Sequence, residues 1–367
     1  MAIGTDQATA SGGGRAWTLL KWAWAVTVVA VAAAMAYLQF SYEPARTTPI
    51  EAAPAPEASA IAMPDVSTPA QTGPEARSEA RAQARAEAAP TQTPAQRPRD
   101  RADLAADPRL LQAGPFGPLP TIAADGTRPL DVYAQPAAAS GGPMIAIVLM
   151  DVGLAQDSSR RAVEEAPEPV TLAISPYARQ SQDWADQARL GGHEVLVMVP
   201  AEPETYPEDD PGPHTLLVDQ SSAINKEKLY FVMSRFSGYV GLINHMGSRF
   251  TTSRDSLRPI LQDLSTRGVM VVDARTTRFS AVGRIARELG VPYAINNRNI
   301  DEVPDAGAID DKLANLEDLA RSYGAVVGIG RPYPVTIDRL QRWHDELASR
   351  GVTLVPISAV ASRQEVN

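Results

Sequence analysis

Residues 143–360 predict an α/β fold, and a (β/α) barrel in particular. Three observations carry that reading. Eight short apolar runs recur along the segment, seven helix-like stretches separate them, and several of those stretches stop at a glycine just before the next run. The runs are rich in Val and Ile and do not alternate apolar with polar residues, as befits strands buried on both faces of a parallel sheet. Strands alternating with helices imply crossover connections and hence parallel pairing.

The elements follow in order. MIAIVLM (144–150) is the first strand, and 155–166 the first helix. PVTLAIS (169–175) leads to a helix over 179–190, which Gly191-Gly192 stops. EVLVMVP (194–200) precedes a helix at 224–236, and YVGLIN (239–244) one at 254–267 that ends at Gly268. VMVVD (269–273) precedes 278–289, which ends at Gly290. PYAIN (292–296) precedes 309–323, and AVVGIG (325–330) precedes 336–348. VTLVPIS (352–358) follows Gly351 and closes the series. Glycine past a helix end relieves the left-handed turn there, so each stop is chemically apt.

The rest of the chain reads differently. Residues 17–40, WTLLKWAWAVTVVAVAAAMAYLQF, carry one charge, Lys21, and are long enough to span a bilayer. Trp17, Trp22 and Trp24 lie at one end and Tyr37 and Tyr42 at the other, matching the two interfaces. Arg15 and Lys21 place residues 1–16 in the cytoplasm and the rest of the chain in the periplasm, as a single-pass inner-membrane protein. A cleaved signal peptide is the rival, since Ala34-Met35-Ala36 fits a cleavage site. Residues 41–142 are dense in Pro, Ala, Thr, Glu and Arg and read as a disordered linker. Within them PRLLQAGPFGPLP, from Pro108, has enough Leu and Phe to pack as an arm on the domain. Residues 361–367 read as a tail.

Composition excludes several classes. Lys plus Arg number 34 against 43 Asp plus Glu, a net charge of −9 that argues against nucleic-acid binding. Cysteine is absent, which removes a disulfide scaffold, a thiolate zinc site and a cysteine nucleophile.

In such folds function gathers at the C-terminal ends of the strands. There the sequence places Met150-Asp151, Met198, Glu202, His245 with Arg249, Asp273 with Arg275, Asn296 through Asp301, and Arg331. One His among several carboxylates suits a hard cation.

These residues also carry a resemblance. IAIVLMDVG (145–153), PVTLAISPYA (169–178), GGHEVLVMVPAEP (191–203), YPEDDPGPHTLL (206–217), NHMGSRFT (244–251), RGVMVVDART (267–276) and IGRPYPVTI (329–337) resemble the divergent polysaccharide deacetylases. The resemblance covers the whole domain. It implies a distorted (β/α) barrel, a divalent metal (zinc foremost) that polarises an acetamide carbonyl, and a glycan polymer or cell-envelope partner. In the family pattern the first strand ends Asp-Asp, a base and then a ligand; here it reads Met150-Asp151. The third strand carries a His where this chain has Met198, and Gly-His-Pro becomes Gly330-Arg331-Pro332. None of these replacements keeps the chemistry, because a thioether takes no proton and Arg331 gives none at neutral pH.

Candidate metal ligands are therefore Asp151, His245 and Glu202, and candidate substrate-binding residues are Asp273, Arg275 and Arg331. Each has a plainer reading. Asp151 caps its own loop, Glu202 pairs with Arg249 or Arg275, and Asp273 and Arg275 pin the barrel rim as an ion pair. His193 falls on the opposite face as a structural residue, and His214 and His344 face solvent. Two functions stay open: an active hydrolase that removes N-acetyl groups, and a non-catalytic relative that binds a glycan or envelope partner.

Overall fold

The computed structural model describes residues 105–137 and 141–364. All the described residues belong to one compact unit. The expected span at 17–40 and the linker as far as residue 104 lie outside the described residues. No described helix is long and apolar enough to cross a membrane.

The Val- and Ile-rich runs form one parallel sheet. Its strands are β3 (Met144–Val152), β4 (Thr171–Ile174), β5 (Val195–Ala201), β6 (Gly241–Met246), β7 (Met270–Asp273), β8 (Tyr293–Ile295), β9 (Arg298–Asn299), β10 (Ala325–Gly330) and β11 (Thr353–Leu354). The order is β8-β7-β6-β5-β4-β3-β10-β9, with β11 beside the start of β3. All pairings are parallel.

Seven helices return the chain between strands. They are α2 (Gln156–Glu165), α3 (Ser181–Leu190), α4 (Ser222–Met233), α5 (Arg254–Arg267), α6 (Val282–Leu289), α7 (Ala306–Tyr323) and α8 (Pro334–Leu347). On β3 the odd residues Ile145, Ile147 and Leu149 pack with helix residues such as Ala162 and Leu313. The even residues Met144, Ala146, Val148 and Met150 fill the inside of the curl with Met198, Ile243 and Val327. Both faces of each strand are thus apolar, which is why the runs do not alternate.

Three expectations need correction. First, the sheet curls without closing: its path ends at β8 on one side and β9 on the other, which leaves a seam. The fold is an open half-barrel. The two-residue β9, with Arg and Asn, has no apolar run to announce it. Second, the linker does not extend to residue 142. Residues 105–137 fold as β1 (Leu111–Gly114) paired antiparallel with β2 (Gly117–Pro120), then a short α1 (Pro129–Tyr133). Leu110, Leu119, Leu130 and Tyr133 are buried. The Leu130 N–H donates to Gly268 O at the foot of β7. Third, residues 361–364 are not a loose tail. The Gln364 amide donates to Ile295 O and accepts from Ile295 N, flanking β8.

Candidate functional site

The C-terminal ends of β3, β6, β7, β9 and β10 surround a cavity of about 180 Å³. Met150, His245, Thr276, Asp301, Glu302 and Arg331 are among its lining residues. The backbone is strained here. Asp151 (φ 64°), Met246 (φ 56°) and Arg275 (φ 51°) all lie in the left-handed region at strand ends. Each costs on the order of 1 kcal/mol for a residue with a Cβ, and such outliers concentrate at functional sites. The pairing of β3 with β4 also slips by one residue between Leu149 and Val152. That bulge aims the Asp151 carboxylate toward the rim.

Asp151 is the centre of the site. Its Oδ2 accepts from Arg331 Nε at 2.8 Å. Its Oδ1 is buried, has no hydrogen-bond partner, and lies 4.0 Å from His245 Nδ1. Its N–H points at the Met198 thioether, 3.2 Å away. Arg331 is fixed from behind: its N–H donates to Asp301 Oδ2 at 2.6 Å, and Thr336 Oγ1 donates to the same oxygen at 2.9 Å. Burial works against the Arg331 cation, and the Asp151 carboxylate more than restores it, so the guanidinium pKa stands above its usual value. Burial pushes the His245 pKa down against the pull of Asp151, and Arg331 pushes it further down. The imidazole is therefore neutral at pH 7.

The expected residues divide. Asp151, His245, Arg331, Met150 and Met198 come together. Glu202 does not join them. It is 2% exposed, and its carboxylate accepts from Val218 N and is ion-paired with Arg249. It secures a loop, and of its two proposed partners the structure selects Arg249. Asp273 is buried as well; its Oδ1 accepts the Arg275 N–H at 2.8 Å, and no ion pair joins the two side chains among the described residues. Arg275 lines a different cavity, at the seam. His193 is buried at the opposite end, as expected, whereas His214 is not simply solvent-facing: its ring stacks on Phe231 at 3.5 Å.

Asp301 is the residue that sequence reading placed at a strand end without giving it a role. It sits in a polar run, NNRNID, with nothing to single it out, and only the fold brings it under Arg331. Asn244 is similar: its side chain joins two strand ends by accepting from Ala274 N and donating to Met246 O.

The donor set does not fit a divalent metal. Among the described residues no three His, Cys, Asp or Glu side chains converge. Asp151 already holds a guanidinium, Glu202 is committed elsewhere, and two positions carry thioethers, which suit soft ions rather than hard ones.

A family model described as divergent polysaccharide deacetylase matches residues 147–361. The chain is 26% identical over 223 residues to the uncharacterized protein YibQ of Escherichia coli (strain K12), covering 61% of this chain and 69% of that one. An uncharacterized protein of Haemophilus influenzae is 27% identical over 200 residues, covering 54% and 69%. Among solved structures, an uncharacterized protein from Agrobacterium tumefaciens C58 is similar with a TM-score of 0.65 and 33% identity, covering 66% of this chain and 99% of that one.

Proposed function

The chain belongs to the divergent polysaccharide deacetylase family, and from that premise we propose that it is a membrane-anchored periplasmic protein that binds a glycan without hydrolysing it. One observation carries the proposal: the Arg331 guanidinium occupies the Asp151 carboxylate at the centre of the site. A fixed cation there holds one of the two carboxylate oxygens that a divalent metal would need, and electrostatically repels the ion. With Met150 and Met198 beside it, the positions that carry the base and a His in the family pattern hold no proton acceptor. Loss of an acid or base costs about 10²–10⁴-fold in rate.

The same arrangement suits sugar recognition. The Arg331 side chain is half exposed and keeps donors free for hydroxyl or acetamide oxygens. Asn299 and Glu302 stand across the cavity. Its volume lies below the roughly 300–1,000 Å³ of enclosed small-molecule pockets. That suits one ring of a polymer lying across the mouth.

The test uses the full chain in equilibrium dialysis against Zn²⁺, with acetate release from an N-acetylated chito-oligosaccharide measured in parallel. The wild type should retain no ion at micromolar zinc and release no acetate. Met150→Asp, Met198→His and Arg331→His together should raise metal affinity. Arg331→Ala should weaken oligosaccharide binding about 10-fold or more, as expected for a charge-assisted hydrogen bond. A second reading, an active N-deacetylase, draws on the unpartnered Asp151 Oδ1 facing His245. It predicts one tightly held ion and acetate release that His245→Ala abolishes; that result would displace the first reading.

A further inference from the structure

The seam between β8 and β9 opens a second cavity, of about 550 Å³. Arg275, Asn297, Arg298, Ser322, Tyr323 and Arg363 line it, and no carboxylate does among the described residues. Only the wall is shared with the Arg331 cavity. Ala274, Thr276 and Asn299 face that one, while their neighbours Arg275 and Arg298 face the seam. Asn296 ties the wall together, donating to Ala274 O and to Asn299 Oδ1.

The charge pattern of the seam is unusual for this chain. Carboxylates outnumber cations, and arginines such as Arg161, Arg249, Arg339 and Arg350 form ion pairs. The three seam arginines form none among the described residues. Arg298 donates to neutral groups only, Asn315 Oδ1 and Asn297 O. Arg363 reaches no more than the Met144 sulfur, at 3.8 Å. The Arg275 backbone N–H donates to the buried Asp273 carboxylate, but its guanidinium forms no ion pair with it among the described residues. Three like charges gathered at one recess repel one another, and a recess lined by one sign concentrates counter-ions.

We infer that the seam cavity is a second binding site, for a sugar unit that bears a carboxylate or a phosphate. Guanidinium groups match both anions with paired N–H donors. The Tyr323 ring, 70% exposed, offers a flat apolar face of the kind a pyranose stacks on. Asn297 and Ser322 supply polar groups for hydroxyls. The inference does not depend on the Arg331 cavity binding anything.

The test is isothermal titration of the full chain with glucuronate, glucose 6-phosphate and glucose, each at 50 and 300 mM NaCl. At least one acid should bind saturably, one per chain, at least 10-fold tighter than glucose and more weakly at high salt. Whichever acid binds tighter names the anion. Arg275→Gln with Arg363→Gln should cut that affinity 10-fold or more without moving the thermal midpoint. Should that pair fail to fold, Arg363→Glu, a change at an exposed residue, should abolish acid binding. Equal affinity for glucose, no saturable binding of either acid, or undiminished binding in the variants would overturn the proposal. The Arg331 proposal is tested with a neutral oligosaccharide, so either can fail alone.

Discussion

His193 lies between two backbone carbonyls at the foot of the sheet, with Nδ1 2.8 Å from Val170 O and Nε2 3.2 Å from Val163 O. A neutral ring has one N–H, and the shorter contact places it on Nδ1. Burial pushes the imidazole pKa below its usual 6.5, against the opposing pull of the two carbonyls and Glu168. The unfolded ring takes a proton as pH falls through 6.5, while the native ring waits for a lower pH. Its stabilising contribution is therefore complete above 6.5 and lost as pH falls through the native value. We expect the urea midpoint to drop between pH 7.5 and 5.5, and to drop less in His193→Gln. Comparing variant with wild type at each pH cancels the buried carboxylates Asp273 and Asp301, whose raised pKa values act with opposite sign. An equal drop in both proteins would remove His193 from the account. Its structural role was legible from position, one residue before a strand on the face away from the loops. The role of Glu202 was legible only in part: pairing with Arg249 was among its readings, but the loop amide it also accepts from was not. Its partner Val218 N lies 16 residues further along, and a long loop decides that meeting.

At the scale of elements, one carboxylate joins three segments. Glu194 enters β5 nearly fully buried, and its oxygens accept from Gln135 N, Ser358 N and Ser358 Oγ. It thus fastens the N-terminal arm and the final turn at Ile357–Val360 to the foot of the sheet. Burial raises its pKa, and the three donors pull it back. Glu194→Ala leaves buried donors without an acceptor and should cost about 1–3 kcal/mol per unsatisfied group, seen as a fall in the denaturation midpoint. The arm should then be cut sooner by protease between residues 120 and 140. Unchanged cleavage would mean that Leu110, Leu119 and Tyr133 hold the arm by burial alone. Gly268 allows the arm its approach. It takes φ 67° after α5, and a Cβ there would stand 2.9 Å from Arg128 Cβ and Ile122 Cγ1. The seven crossover helices and eight of the nine sheet strands were legible, the strands because burial on both faces writes an apolar run. Strand β9 and most of the arm were not. Their residues are polar or proline-rich, and partners far away in sequence fold them.

At the scale of the whole molecule, the proposal places the domain in the periplasm on a tether. Arg15 precedes the apolar run 17–40 and Lys21 lies near its start, which the positive-inside rule reads as an anchor with its C-terminal side exported. Residues from 105 onward belong to the folded arm, so in this proposal the Pro/Ala-rich spacer from 41 ends no later than residue 104. A chain of that length without fixed structure spans about 45 Å r.m.s.. The half-barrel would then sample a layer close to the membrane, where both of its cavities meet envelope polymers. A reporter active only in the periplasm, fused after Asn367, should be active. N-terminal sequencing of the mature protein should begin at or near Met1. A start near Tyr37 would convert the anchor to a cleaved leader and free the domain from the membrane. Protease added to the exported face should release a stable fragment beginning close to residue 105, not 140. A fragment beginning at 140 would show that the arm is no part of the stable domain, and a chain resistant throughout 41–104 would show that the spacer is itself folded.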